Sequence, residues 1–431
     1  ASHNPKEYNG YKAYWTDGSQ VTAPHDRNII AEVEKITSID QILSGANPGN
    51  ITLLGEEFDE IYLNKVHTLS LSPESVGKFH DMKIAYTPLH GAGVRLVPAS
   101  LRKWGFTNVS LVEEQAVIDG NFPTVESPNP EERKTMAKAI ELGSRLGADL
   151  VLATDPDSDR IGVALRNAKG EYVLLNGNQT LSLIMAYQLT RWSELGRLDG
   201  KEFVVKTIVT SQMPNVMAAH FGVKCYDCLT GFKYIARIIR NNEGKATYIG
   251  GGEESFGYLA GDFVRDKDAV SACSLVAEAA AWTRDTMGLT LYEWLQKLYV
   301  EFGFFREGLV SVVHKGMEGA AEIQQMMVDY RADPPREIAG SPVVKINDFK
   351  LLESTDVRTG AKTPIEEEAS NVLQWFAADG TVVSVRPSGT EPKIKFYFGV
   401  RAELESVADF DRVEVGLDAK IETIKKELKL V

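Results

Sequence analysis

Cysteine is scarce in these 431 residues: Cys225, Cys228 and Cys273 are the only three. That is too few for a disulfide framework, so a reducing cytoplasm is the expected compartment. Long apolar runs are missing too, and no stretch approaches the roughly 18 residues of a membrane span. Basic residues are in deficit, 47 Lys and Arg against 60 Asp and Glu, for a net charge of −13. Without a cation excess to neutralise phosphates, a dedicated nucleic-acid or anionic-membrane binder is not expected. A local cluster can still hold a small phosphate. Cys225 and Cys228 form a CxxC, but a second ligand pair is lacking and "VKCYDC" reads as a β-strand, which argues against redox and zinc roles. What is present in quantity is hydrophobic residues at 43% and charged residues at 25%. That is the composition of packed domains, with length for about two to four of them.

The order of elements is α/β. Strand-like "MKIAYTPL" (82–89) is followed by a helical stretch over 94–104 and by "NVSLV" (108–112). An amphipathic helix over 130–148 feeds the buried strand "DLVLATD" (149–155). The pattern restarts with helix 178–194, strand 202–210, helix 213–221, strand 223–228, helix 232–241 and strand 247–252. Such alternation predicts parallel sheets with crossover helices. After Gly303 the pattern changes to a mainly antiparallel sheet with a helix over 318–331, hence a separate α+β domain. Its hairpin carries Asp379-Gly380, a two-residue turn signal.

Three loops and the opening "ASHNP" carry chemistry. In "DPDSDR", Asp155, Asp157 and Asp159 stand at i, i+2 and i+4 after a buried strand. An extended backbone would point all three carboxylates to one side. Three such anions repel without a cation, and hard oxygen ligands suit Mg2+. An EF-hand does not fit, because Arg160 and Arg166 occupy its glycine and glutamate positions. In "GGEESFG", Glu253 offers acceptors for two vicinal hydroxyls and Ser255 a third contact. In "RPSGT", Arg386 offers a planar fork for phosphate, Ser388 and Thr390 offer hydroxyls, and Gly389 exposes backbone N–H groups. A solvated acidic turn, a polar helix N-terminus and a tight β-turn are the plain alternatives for these three loops. The opening places Ser2, His3 and Asn4 side by side.

Ser2 in "ASHNP", then "DPDSDR", "GEESFG" and "RPSGTEPK", in this order, resemble the four active-site loops of the α-D-phosphohexomutase superfamily. "NGYKAYW", "GSQVTAPHD", "TPLHGAG", "LTGFKYI" and "GYLAGDFVRDKDAVSA" resemble its phosphoglucomutase and phosphopentomutase-like branch. "GEESFG" differs from the Glu-x-Ser-Gly-His form of the bacterial phosphomannomutase and phosphoglucosamine mutase branches. The resemblance implies successive related three-layer α/β domains plus a C-terminal domain similar to the TATA-binding-protein fold, around a central cleft. It places domain limits at 1–45, 46–172, 173–303 and 304–431. It also implies a full α/β domain leading up to the serine. On that ground residues 1–45 read as the tail of domain 1, in a truncated, cleaved or partly recorded chain.

The implied activity is a mutase that interconverts hexose 1-phosphate and 6-phosphate, glucose first. Ser2 would carry the phosphoryl group, and a sugar 1,6-bisphosphate would be both intermediate and activator. Mg2+ would sit among Asp155, Asp157, Asp159 and the Ser2 phosphate. By the same resemblance, Lys12 and His3 serve as acid/base or orienting groups, with Lys12 favoured. Arg160, Thr230, Gly231 and Lys233 join the binding loops. The expected partners are a small sugar phosphate, no nucleic acid and no membrane, in a monomer or homodimer. Phosphomannomutase and phosphopentomutase activities are alternatives within the superfamily. A dehalogenase-type phosphatase would make Asp155 the nucleophile and Asp157 the acid/base, although Asp159 stands where that pattern has Thr or Val. A non-catalytic sugar-phosphate sensor is the alternative of another class.

Overall fold

A computed structural model describes residues 3–8, 10–42, 45, 48–313, 316–388 and 392–430. The chain divides into two compact units. Ala1–Lys206, Phe221–Tyr226 and Gly231–Tyr292 form the first; Thr207–His220, Asp227–Thr230 and Glu293–Val431 form the second.

Helices α1 (His25–Val33), α2 (Glu56–His67) and α3 (Pro73–Lys78) come first. Then follow β1 (Ile84–Thr87), α4 (Gly93–Trp104), β2 (Val109–Leu111), α5 (Ala137–Leu146), β3 (Leu150–Thr154), β4 (Ile161–Arg166) and β5 (Tyr172–Leu174). They build a sheet of order β2-β1-β3-β4-β5. β1 and β3 are buried at every position, which is why they read as unbroken apolar runs. Ala139 and Leu142 of α5 pack with Ala85, Val151 and Ala153 of these strands.

A second sheet is built from α6 (Gly177–Glu194), β6 (Glu202–Thr207), α7 (Met213–His220), β7 (Lys224–Cys228), α8 (Phe232–Asn241), β8 (Thr247–Gly252), β9 (Tyr258–Ala260) and α9 (Ala269–Met287). Its order is β7-β6-β8-β9. The Asp268 side chain caps α9 by accepting from Val270 and Ser271 N–H. α9 packs on α4, where Ser100 and Ser274 hydroxyls meet at 2.7 Å.

The second unit continues with α10 (Leu291–Phe302), β10 (Phe304–Val313), α11 (Gly316–Ala332), β11 (Glu337–Ile338), β12 (Ser341–Asp348), β13 (Glu353–Asp356), β14 (Lys362–Pro364), β15 (Leu373–Ala377), β16 (Val382–Pro387), β17 (Lys393–Ala402) and α12 (Phe410–Glu427). The sheet runs β10-β17-β16-β15-β12-β13-β14, with β11 paired to β12. Every recorded pairing in it is antiparallel. Helix α12 turns Phe410, Leu417, Ile421 and Ile424 inward. Gly308 of β10 lets it approach, since a Cβ there would meet Ile421 at 3.1 Å.

Several sequence expectations change. The first two sheets are mixed: β4 and β5 add antiparallel to β3, and β9 adds antiparallel to β8. The helix expected over 130–148 forms only as Ala137–Leu146. Its intended first turns spend their polar groups elsewhere: Asn129 Oδ1 accepts Glu131 N–H, and Thr135 Oγ1 donates to Ser127 O. Strand 202–210 stops at Thr207, where the Thr207 and Thr210 hydroxyls close a turn. The Asp379-Gly380 hairpin has three loop residues rather than two. Gly380 N–H bonds Ala377 O, Ala377 N–H bonds Thr381 O, and Gly380 sits at φ 86°. Cys225 and Cys228 lie on β7 as expected. Among the described residues no helix is long and apolar enough to cross a membrane.

Candidate active site

Strand β3 delivers Asp155 to its C-terminal end, where ligands gather in α/β sheets. Asp155 is fully buried. The backbone then turns instead of staying extended. Ser158 adopts φ 61°, and Asp155 Oδ1 accepts N–H bonds from Asp159 at 3.0 Å and Arg160 at 2.9 Å. The three carboxylates therefore converge by wrapping around Asp155, not by strand alternation. One oxygen from each of Asp155, Asp157 and Asp159 lies within 4.8 Å of the others. Asp159 Oδ1 is buried without a hydrogen-bond partner, and Arg160 Nε is 3.8 Å away. An orphaned carboxylate oxygen among three hard donors fits a divalent cation.

Lysines supply counter-charge. Lys12 Nζ lies 2.9 Å from Asp159 and 3.3 Å from Asp157. Lys267 Nζ lies 3.2 Å from Asp159 and 2.9 Å from Asp266. Burial works against charge on both amines, but the facing carboxylates outweigh it and raise both. Burial likewise opposes ionisation of Asp159, yet Lys267 and Lys12 hold its carboxyl below the usual range. The segment carrying Lys12 is anchored by Asp17, 2.7 Å from Arg240, and by a backbone bridge from Ser19 to Arg265. His3 reaches the same loop. Its carbonyl accepts from Ser127 Oγ at 2.9 Å, and burial followed by the Arg160 charge lowers its imidazole to about 4. His3 is therefore neutral at pH 7. Ser2, beside it in sequence, lies outside the described residues. Arg160 pairs with Glu131 at 3.0 Å.

The loop after β8 is stitched to the Asp155–Asp159 loop. Ile161 N–H donates to Phe256 O at 3.0 Å, and Arg160 bridges Gly257. Glu253 is 5% exposed, and its Oε1 accepts Gly231 N–H at 2.8 Å. Burial pushes the Glu253 carboxyl up, opposed by Lys267. Ser255 is half-buried. Gly231 takes φ 123°, open to glycine, at the start of α8. Lys233 Nζ stands 3.7 Å from Asp26. Thr230, in the second unit, has a buried hydroxyl with no hydrogen-bond partner.

In the second unit, Arg386 is the last residue but one of β16, directly across from Lys395 on β17, and Ser388 N–H bonds Lys393 O at 2.8 Å. Arg386 makes no ion pair among the described residues. Gly389 and Thr390 lie outside them. Sequence reasoning missed Lys267, Glu131 and Asp266. The signal for Lys267 was its place in "VRDKDAVSA", a cation between two acids at a helix start.

Matches to known proteins follow this geometry. Residues 1–40, 60–170 and 176–302 match phosphoglucomutase/phosphomannomutase alpha/beta/alpha domains I, II and III, and residues 344–415 match its C-terminal domain. A phosphoglucomutase of Staphylococcus aureus strain MRSA252 is 34% identical over 425 residues, 98% of this chain and 74% of its own length. The phosphoglucomutase of strain N315 is 35% identical with the same coverage. Among solved structures, a Thermus thermophilus protein assigned as a phosphomannomutase superposes with TM-score 0.67 at 19% identity, covering 100% of this chain and 76% of that one. Paramecium parafusin, a phosphoglucomutase, gives 0.62 at 16% identity, covering 99% and 76%. The chain belongs to the phosphoglucomutase/phosphomannomutase family.

Proposed function

We propose that this protein is a phosphosugar mutase, with glucose the preferred sugar, working through a phosphoserine at Ser2 and a sugar 1,6-bisphosphate. One observation carries the reading. Asp155, Asp157 and Asp159 converge on one loop, and His3 and Lys12, from the segment that holds Ser2, stand against it. The three carboxylates and the Ser2 phosphate would hold Mg2+, which when bound withdraws charge from the bridging phosphate oxygen.

The chain's own residues do the rest. The phosphoryl group leaves Ser2 Oγ for a sugar hydroxyl, and that hydroxyl's proton must reach Ser2 Oγ. His3 as a neutral imidazole and Lys12 as an ammonium are the groups beside the loop able to take and give it. Arg160, tied to Glu131, steadies the loop. Glu253, Ser255, Thr230, Gly231 and Lys233 would bind the sugar. Arg386, Ser388, Gly389 and Thr390 would hold the phosphate that is not reacting. We assign the four loops to domains 1–45, 46–172, 173–303 and 304–431, in a cytoplasmic enzyme.

The test is turnover by the full-length protein with Mg2+ and glucose 1,6-bisphosphate, comparing the 1-phosphates of glucose, mannose, glucosamine and ribose. Glucose 1-phosphate should give the highest kcat/KM. A higher value for mannose or ribose overturns the sugar assignment. Saturable binding with no turnover of any of the four would make the protein a sugar-phosphate sensor.

A further inference from the structure

The segment "TPLHGAG" (87–93) has no part in the chemistry above, yet it is the mould against which the metal loop lies. It leaves the C-terminal end of β1, the strand beside β3. Two consecutive residues with side chains, Leu89 at φ 47° and His90 at φ 64°, take the left-handed conformation that a Cβ disfavours. Both are buried, at 0% and 2% exposure. Such a turn persists only where its surroundings over-determine it.

Here the determinant is a closed hydrogen-bond net. His90 Nδ1 is 2.9 Å from Val117 O, and Nε2 is 2.9 Å from Thr124 Oγ1. A carbonyl only accepts, so Nδ1 carries the proton and Nε2 accepts from the Thr124 hydroxyl. Thr124 Oγ1 in turn accepts from Gln115 Nε2 at 2.9 Å, and Gln115 Oε1 accepts from Thr87 Oγ1 at 2.7 Å. Every donor in the chain has an acceptor with one tautomer of His90. The His90 backbone is tied as well, its N–H donating to Gln115 O at 2.9 Å.

The turn so held presents Gly91, Ala92 and Gly93 to the metal loop. Ala92 N–H donates to Pro156 O at 2.8 Å. A Cβ on Gly91 would collide with the Pro156 backbone, and one on Gly93 with Ser158 Oγ, Thr154 Oγ1 and the Tyr86 hydroxyl. From the other side, Ala269 N–H holds Ser158 O at 3.0 Å. Pro156 and Ser158 alternate with Asp155, Asp157 and Asp159, so the carbonyls pinned here set where the three carboxylates point.

We propose that His90 is a positioning residue for the metal loop, fixing the Leu89–Gly93 turn as the template on which Asp155, Asp157 and Asp159 converge. The proposal rests on those aspartates being the metal ligands. Its test is calorimetric Mg2+ binding to the full-length protein, alongside KM for glucose 1-phosphate at saturating Mg2+. His90→Ala should weaken Mg2+ binding about tenfold or more, as losses of groups that orient metal ligands do. Its KM should change less than about twofold. His90→Asn should recover most of the affinity, because Asn tolerates the left-handed backbone and its Nδ2–H can replace the donor to Val117 O. If His90→Ala does not fold, Thr124→Val decides the matter, since it keeps the imidazole while removing the partner of Nε2 and the acceptor of Gln115 Nε2, and should weaken Mg2+ binding several-fold. Unchanged Mg2+ affinity in a folded His90→Ala or Thr124→Val protein, with only a lower Tm, overturns the proposal. A wild-type protein that binds no Mg2+ brings down the metal reading itself, and this inference with it.

Discussion

Asp157 and Asp159 give the same chemical group to the proposed metal site but sit in different surroundings, so removing one charge from each should separate metal binding from folding. Asp157 has a side chain 41% exposed and, among the described residues, a single ion pair, to Lys12 at 3.3 Å. Exposed pairs of this kind contribute about 0–1 kcal/mol. Asp159 has a side chain 12% exposed and meets Lys12, Lys267 and Arg160. Removing one partner of a buried pair costs about 3–5 kcal/mol. Lys12 keeps Asp157 and Lys267 keeps Asp266, so the lower figure, about 3 kcal/mol, applies to Asp159→Asn. With a slope of about 1–2 °C per kcal/mol for a chain of this size, thermal unfolding in EDTA should fall by about 3–6 °C for Asp159→Asn and by less than about 2 °C for Asp157→Asn. Both variants should need far more Mg2+ for half-maximal turnover, because each takes a negative charge from a divalent-cation site. Equal drops in Tm would refute the burial argument. An Asp157→Asn protein with full activity in limiting Mg2+ would refute the metal assignment.

Arg386→Ala should raise KM for the sugar phosphate by about 10- to 150-fold, the equivalent of one charge-assisted contact of about 1.5–3 kcal/mol, and should leave Ser2 phosphorylation intact. Unchanged kinetics would reduce "RPSGT" to a turn. Glu278 is fully buried and accepts from Ser70 Oγ and from the N–H groups of Leu71 and Ser72, so Glu278→Ala should cost about 3 kcal/mol or more in denaturant unfolding by stranding three donors. Burial raises the Glu278 carboxyl above its ordinary 4.5, so the folded state holds this proton more tightly than the unfolded state. Its contribution to stability therefore falls as pH rises from 4.5 towards the folded value, and Glu278→Gln should flatten that part of the profile.

The strands were legible because burial on both faces leaves a plain mark: β1 and β3 appear as apolar runs at their observed places. The aspartate cluster of the proposed metal loop was legible by residue type but not by geometry. Serine carries no strong left-handed signal, so the turn at Ser158 that gathers the carboxylates could not be read, and strand alternation was the wrong route to the right cluster. The sequence predicts a helix over 130–148, longer than the observed Ala137–Leu146, because nothing local marks Glu131 and Thr135 as loop residues. Their tertiary partners, Arg160 and Ser127 O, take them for a loop. Lys267 was missed because its partner Asp159 lies far away in sequence, and only packing brings the two to 3.2 Å. The glycines mark the loop after β8 in the sequence, but no pattern shows that Glu253 turns inward to the Gly231 amide.

The central claim is that Ser2 carries the transferred phosphoryl group. Peptide mass spectrometry of the full-length protein, after incubation with glucose 1,6-bisphosphate and Mg2+, tests it most directly. The expected result is phosphate on the Ser2 peptide, stable to hydroxylamine as a phosphate ester should be, and lost when excess glucose 1-phosphate is added. Hydroxylamine-labile phosphate on Asp155, with none on Ser2, would contradict the claim and move the nucleophile to the metal loop.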